Sequence, residues 1–283
     1  MNPTSKFIKQ QAQKCGFALC GIAKAEPLFL AKERFEKALA QNFHAGKKYL
    51  ERDIDKRFHP ELLLQNCKSV IVCGFNYNMQ NMSERRMEDG EWRKEQGTGR
   101  KVDSDINEKS IRYNVSQYEQ IKDYHVFMKE KLENLVQSLQ EEYGIFKYKT
   151  TVDSSAISEK AWAVRAGIGY YGKNGVIQTQ FGSFVFLGTI LMDREVDEYD
   201  APNQQSCGNC AECITACPTH AIIAPYYVNS NQCITHINQN KKETDIKFIE
   251  KYGWLRSCDT CQDICPNNTY ASVNEEAIAL RLG

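Results

Sequence analysis

The sequence has no long apolar run. Nowhere in its 283 residues do about 18 consecutive apolar side chains stand together, the length a membrane-spanning helix takes. The opening segment "MNPTSKFIKQQAQKCGFALCG" also lacks the apolar stretch of a secretory signal, so a cytoplasmic protein with no membrane partner is expected. Charge of one sign is missing too. Thirty-six Lys and Arg balance 36 Asp and Glu, which leaves no bulk field for a nucleic acid and only a local basic face to bind one. No repeat of solenoid period is visible. What the chain does have is 42% hydrophobic and 11% aromatic residues, enough to close a core in one large domain or two ordinary ones.

Cysteine is absent from residue 74 to residue 206 and crowded after it. Of 12 cysteines, Cys15, Cys20, Cys67 and Cys73 precede the gap, and the other eight lie between Cys207 and Cys265. In a reducing compartment this density argues for metal ligands rather than crosslinks. The four early cysteines have no ligand spacing and are expected in the core as small hydrophobes. The gap suggests two regions, 1–200 and 201–283, joined near "DEYDAPNQQS", whose Asp, Pro, Asn, Gln and Ser mark a linker.

In the first region "TSKFIKQQAQKCG" predicts a short helix, capped by Thr4 or Ser5 and stopped at Gly16. "FALCGIA", "KSVIVCGF", "FKYKTTVD" and "FGSFVFLGTILMD" are β-rich runs. Between Tyr118 and Tyr143, apolar residues at Ile121, Tyr124, Met128, Leu132, Leu135, Val136 and Leu139 follow the helical period. Strands and helices without strict alternation favour an α+β sandwich over a doubly wound α/β sheet. Residues 83–110 mix both charges without periodicity and are expected as a surface excursion.

The chemistry lies in the second region. Cys207-x2-Cys210-x2-Cys213-x3-Cys217-Pro218 has the spacing of bacterial iron–sulfur runs, in which the fourth cysteine, before proline, ligates the other cluster. A zinc knuckle pair is the alternative, but a triply spaced run ending in Cys-Pro fits it poorly. Cys258-x2-Cys261-x3-Cys265-Pro266 repeats the motif one cysteine short. By the same crossing rule Cys265 joins Cys207, Cys210 and Cys213, while Cys217 joins Cys258 and Cys261, with Cys233 left to complete that set. Two four-thiolate sites close with none over.

"CGNCAECITACPTHAI", "NQCITHIN" and "SCDTCQDICPNN" resemble segments of the epoxyqueuosine reductase family, as does "VDSSAISEKAWAVRAGIGYYGKNGVIQTQFGSFVFLGTIL" upstream. "KRFHPELLLQNCKSVIVCGFNYN" resembles its N-terminal domain more loosely. The reductive dehalogenases share the two-cluster plan at greater distance. The resemblance implies a nitroreductase-like cobalamin-binding domain of α+β type, followed by a ferredoxin-like module with two 4Fe-4S clusters. It also implies reduction of epoxyqueuosine to queuosine in tRNA, with an external low-potential electron donor.

The resemblance assigns Asp153 as the proton donor to the departing epoxide oxygen, with a pKa raised by burial under the corrin. Read from the residues alone, Asp153 is equally a helix N-cap for "SSAISEKAWAVRAG". Arg57, Asp153, Ser154, Lys173, Asn174, Ser183 and Thr235 are assigned by resemblance to the cobalamin pocket, with small residues near Gly182 and Ser183 letting backbone approach the corrin. His125 in "KDYH" matches another family element, with Tyr118 ahead of it, although "EQIK" between them departs from the usual glycine-containing stretch. Many family members continue into a helical-repeat domain that helps hold tRNA; ending at Gly283, this chain is expected to be a short form. The rival readings are a cobalamin-dependent reductase of another small electrophile, a ferredoxin-like electron carrier, and a zinc-stabilised tRNA-binding module.

Overall fold

A computed structural model of the chain describes residues 2–80, 114–240 and 246–282. The charged stretch at 83–110 lies outside the described residues. In chain order come α1 (Ser5–Lys14), β1 (Leu19–Lys24), α2 (Phe29–Ala40), α3 (Lys48–Glu51), α4 (Ile54–Phe58) and β2 (Ser69–Asn76). They are followed by β3 (Asn114–Val115), α5 (Tyr124–Tyr143), β4 (Tyr148–Thr151), α6 (Glu159–Arg165), β5 (Gly169–Tyr171), β6 (Ile177–Thr179) and β7 (Val185–Met192). Beyond these lie α7 (Glu212–Ala216), β8 (Ile222–Ala224), β9 (Tyr227–Val228), α8 (Ile234–Asn240), α9 (Ile246–Tyr252), β10 (Trp254–Arg256), α10 (Thr260–Asp263) and α11 (Glu275–Ala279).

The central sheet has the order β1-β2-β7-β4, and every neighbouring pair in it is antiparallel. A doubly wound sheet needs parallel strands, so the α+β reading holds. All eight residues of β2 are buried, as a strand covered on both faces must be. Its alternate side chains feed two cores: Ile71, Cys73 and Phe75 pack toward Ile8 of α1 and Met128, Leu132 and Leu135 of α5. Val70 and Val72 pack toward Trp162, Ala163 and Ala166 on the α6 side. Cys67 and Cys73 are buried in these cores, with Cys15 and Cys20 packed against the first.

Helix α1 starts where its cap predicts, the Thr4 hydroxyl accepting the Phe7 N–H at 3.3 Å, and the chain leaves it through Gly16 at φ +84°. The long helix starts later than its apolar period suggests. Asp123 caps it by accepting the His125 N–H at 3.0 Å, so residues 118–120 form a separate 3-10 turn and Ile121 is extended. Ile121 is buried because it bridges to Arg281, not because it faces the sheet from a helix.

The linker at 197–206 is anchored. Asp200 accepts from Lys9 Nζ at 2.6 Å and from the Ile22 N–H at 2.8 Å, and Tyr199 shares a hydrogen bond with Ser69. The cysteine-rich region also reaches back: β10 pairs in parallel with β3, the Gln117 N–H donates to Asp259 at 2.6 Å, and Asn76 Nδ2 donates to the Ser272 carbonyl at 2.9 Å. Among the described residues no helix is long and apolar enough to cross a membrane.

Candidate active site and cluster-ligand module

Between the sheet and the cysteine-rich region lies a cavity of about 1200 Å³. The β4–α6 loop brings Asp153 and Ser154 to it, α4 brings Arg57, and the β5–β6 hairpin and the segment before β7 bring Asn174 and Ser183. From the far side come Thr235 on α8 and the thiols of Cys217, Cys233, Cys258 and Cys261. The other four cysteines do not line it. Burial pushes the Cys213 thiol up to about 11, and Cys265, Cys207 and Cys210 lie near enough to push it the same way. Cys261 is raised by burial and then by Cys258 and Cys233. Cys217, Cys233, Cys258 and Cys261, the front set, thus stand at the cavity, and Cys207, Cys210, Cys213 and Cys265, the rear set, stand away from it.

Among the described residues no group of three or more His, Cys, Asp or Glu is gathered tightly enough to hold a metal ion.

Asp153 is exposed, so the chain itself does not bury its carboxyl. It sits at φ +49°, a left-handed conformation that aspartate tolerates better than most residues. It is no helix cap: α6 starts six residues later, at Glu159, with Ser158 in the cap position. The Asp153 carboxylate accepts a short hydrogen bond from the Tyr124 hydroxyl. Burial, and then Asp153 as acceptor and as charge, raise the Tyr124 pKa well above that of a free phenol, so Tyr124 stays a donor. The Tyr124 ring stacks on Phe186 at 4.2 Å, and Phe186 stacks on Tyr77 at 4.2 Å, giving the cavity an aromatic wall.

One side of the cavity is basic, lined by Arg34, Lys47, Arg52, Arg57 and Lys160. Arg57 is 9% exposed; its Nη2 donates to the Tyr49 carbonyl at 2.7 Å, but its buried Nε has no partner. Burial disfavours the charged forms of Arg57 and Lys47, so an anion bound beside them would be stabilised. The chamber's volume, its aromatic wall and this orphaned donor fit a large cofactor carrying a phosphate, as cobalamin does.

Lys173 is placed elsewhere. Its Nζ donates to the Gly208 and Cys210 carbonyls at 2.8 Å each, so it steadies the first cysteine loop rather than the cavity. Asn174 donates to the Cys261 carbonyl at 3.2 Å, and the Ser183 hydroxyl donates to Gln262 at 2.9 Å, so both also tie the cavity to the module. Gly182 serves that docking as well: at φ +79°, an added Cβ would lie 2.2 Å from Asn268 Oδ1. His125 does not line the cavity; its ring lies over Tyr124 at 4.1 Å and bonds Asp123. Sequence reasoning missed Glu159, Tyr77 and the role of Tyr124. The Asp-Tyr-His element pointed at Tyr124, but Glu159 carried no signal beyond standing six residues after Asp153.

A cavity reached from one side by Asp153 and from the other by four closely set cysteines suits an electron-transferring oxidoreductase. Residues 206–268 match the 4Fe-4S double cluster binding domain, and residues 57–154 match the family described as "Epoxyqueuosine reductase QueG, DUF1730". The epoxyqueuosine reductase of Cellulophaga algicola is 35% identical over 277 residues, covering 97% of this chain and 82% of that protein. That of Prochlorococcus marinus is 35% identical over 271 residues, covering 93% and 78%. The chain belongs to the epoxyqueuosine reductase family.

A crystal structure of epoxyqueuosine reductase with an epoxyqueuosine-modified tRNA-Tyr stem loop superposes with a TM-score of 0.78 at 29% identity, covering 95% of this chain and 66% of that one. The Bacillus subtilis enzyme, described with its catalytic aspartate loop swung out of the active site, gives 0.77 at 30% identity, covering 95% and 66%. The chain thus spans about two thirds of the length of these solved chains. A reductive dehalogenase described in terms of B12-dependent dehalogenation shares the fold at a TM-score of 0.50 and 10% identity, over 96% of this chain and 33% of that one.

Proposed function

We propose that this chain reduces epoxyqueuosine to queuosine in tRNA, using two 4Fe-4S clusters and cobalamin. The observation that carries the reading is one cavity faced on one side by Asp153 and on the other by the front cysteine set. Removing an epoxide oxygen as water takes two electrons and two protons and leaves a carbon–carbon double bond. When bound, the clusters supply single electrons and cobalamin supplies two-electron reducing power.

The chain's own residues do the rest. Asp153 gives a proton to the departing oxygen, and the Tyr124 hydroxyl orients its carboxyl. The ring stack of Tyr124, Phe186 and Tyr77 keeps that side of the cavity dry. Arg57, with Ser154, Asn174, Ser183 and Thr235, would hold cobalamin, the unpartnered Arg57 Nε offering a donor to its phosphate. Cys207, Cys210, Cys213 and Cys265 would hold the rear cluster, the one an external low-potential donor would supply. Cys217, Cys233, Cys258 and Cys261 would hold the front one. Residues 1–200 are the catalytic domain and 201–283 the electron module, and a tRNA substrate sets the reaction in the cytoplasm.

The test is anaerobic turnover of epoxyqueuosine-containing tRNA with added cobalamin, read by nucleoside mass spectrometry. Conversion to queuosine is expected. Turnover of a halogenated aromatic compound but not of the tRNA would overturn the substrate, and a purified protein that takes up iron but no corrin would leave only an electron carrier.

A further inference from the structure

Beneath Asp153 lies a second carboxyl that the reaction as described does not use. The geometry points to Glu159 as the latch of the Asp153 loop, a positioning residue that keeps the proton donor turned into the cavity. The inference rests on the reading of Asp153 as that donor.

Glu159 is the first residue of α6 and is 8% exposed. Its Oε1 accepts two hydrogen bonds, from the Asp153 N–H at 3.0 Å and from the Thr151 hydroxyl at 3.3 Å. Thr151 shares its hydroxyl with that of Thr189 at 2.7 Å, and Thr189 lies on β7 in the middle of the sheet. A continuous chain of hydrogen bonds therefore runs from the central sheet through Thr189, Thr151 and Glu159 to the backbone of Asp153. The loop is also held at its carboxylate by the Tyr124 hydroxyl, while its remaining backbone bonds are the Ile157 N–H to the Ser155 carbonyl at 2.8 Å and the Ser158 N–H to the Arg57 carbonyl at 2.9 Å.

Asp153 occupies the left-handed region, which a side-chain-bearing residue leaves readily unless its surroundings fix it. The bond from Glu159 is made to the amide of that same residue. Burial, and then the Asp153 charge, favour the uncharged form of Glu159, so the latch accepts the amide without repelling the carboxylate it positions. The Bacillus subtilis relative with its loop swung out shows that such a loop has a second place to go.

The experiment is amide exchange over residues 152–156 in anaerobically purified holoprotein, paired with steady-state turnover of epoxyqueuosine-containing tRNA. Glu159→Ala is expected to speed exchange of the Asp153 amide tenfold or more. It lowers kcat tenfold or more and leaves KM for tRNA within twofold, because the other residues lining the cavity are unchanged. Glu159→Gln keeps a carbonyl oxygen at the acceptor position and stays within threefold of the parent in both readouts. Glu159→Asp withdraws the acceptor by one methylene and behaves like Glu159→Ala, which keeps the test decisive if the alanine variant does not fold. Unchanged exchange in Glu159→Asp overturns the latch. Loss of turnover in Glu159→Gln with exchange unchanged also overturns it, since Glu159 would then act through its proton. Exchange is read without substrate, so failure of the latch and failure of the tRNA assignment give different results.

Discussion

Asp153 and Glu159 are carboxyls of opposite circumstance, both at the cavity but one exposed and one buried. Asp153→Asn removes the acid but not the side-chain volume. Turnover is expected to fall about 100-fold or more, the range for losing a positioned acid, while iron and corrin contents stay unchanged on metal analysis and absorption spectroscopy. Glu159 makes a pH prediction of its own. Its folded pKa lies above the ordinary 4.5, so the folded state holds a proton that the unfolded state releases once the pH passes that value. Stability contributed by the protonated form is full below the unfolded pKa and is lost as pH rises toward the folded one. Glu159→Gln removes this slope, so the gap between thermal midpoints at pH 5 and pH 8 narrows relative to the parent. None of this was legible in sequence. A glutamate at the start of a helix is an ordinary first-turn residue, and only the sheet beneath it makes this one a buried acceptor. Lys173, assigned to the cobalamin pocket by resemblance, meets two carbonyls of the neighbouring cysteine loop instead, a contact no local pattern announces.

Elements with a strong local pattern were readable. The uninterrupted apolar runs of β2 and β7 and the capped start of α1 follow directly from side-chain type. The onset of α5 did not, because Tyr118 and Ile121 satisfy the helical period while lying outside the helix, the first half-buried and the second buried. The Tyr118 hydroxyl bonds Ser257 at 2.7 Å and accepts from Gln239 at 2.6 Å, both across to the cysteine-rich region. Docking between elements is likewise invisible in a linear pattern, and Gly182 measures how tight it is. Asn268 is fully buried and holds Ser183 through bonds of 2.6 and 2.8 Å. Gly182→Ala adds strain at positive φ and drives a methyl into that amide, so a loss of about 2–3 kcal/mol is expected from chemical denaturation. Gly46→Ala, at φ +68° with open space around it, loses only the conformational part, about 1 kcal/mol.

At the scale of the whole molecule the cysteine spacing was the most legible feature, because a cluster's ligand geometry constrains sequence separation directly. The spacing also led to the proposed partition, of which one set of four lines the cavity. Cys265→Ser removes a ligand contributed from the far end of the module, and Cys233→Ser removes one from its middle. Each is expected to lower iron from about eight to about four atoms per chain. The losses differ in consequence: without Cys233 the front cluster fails and turnover stops with any donor. Without Cys265 the rear cluster fails, and a small, strong chemical reductant that reaches the front set restores part of the rate.

The interlocked ligand sets also bear on how the protein is made. As a nascent chain leaves the ribosome, Cys207 to Cys217 emerge first, yet under the proposed ligand sets neither cluster would have its four thiolates until Cys261 and Cys265 follow. Cluster insertion would therefore wait for the last of these cysteines to emerge. The antiparallel sheet, whose last strand ends at Met192, can form before any iron arrives.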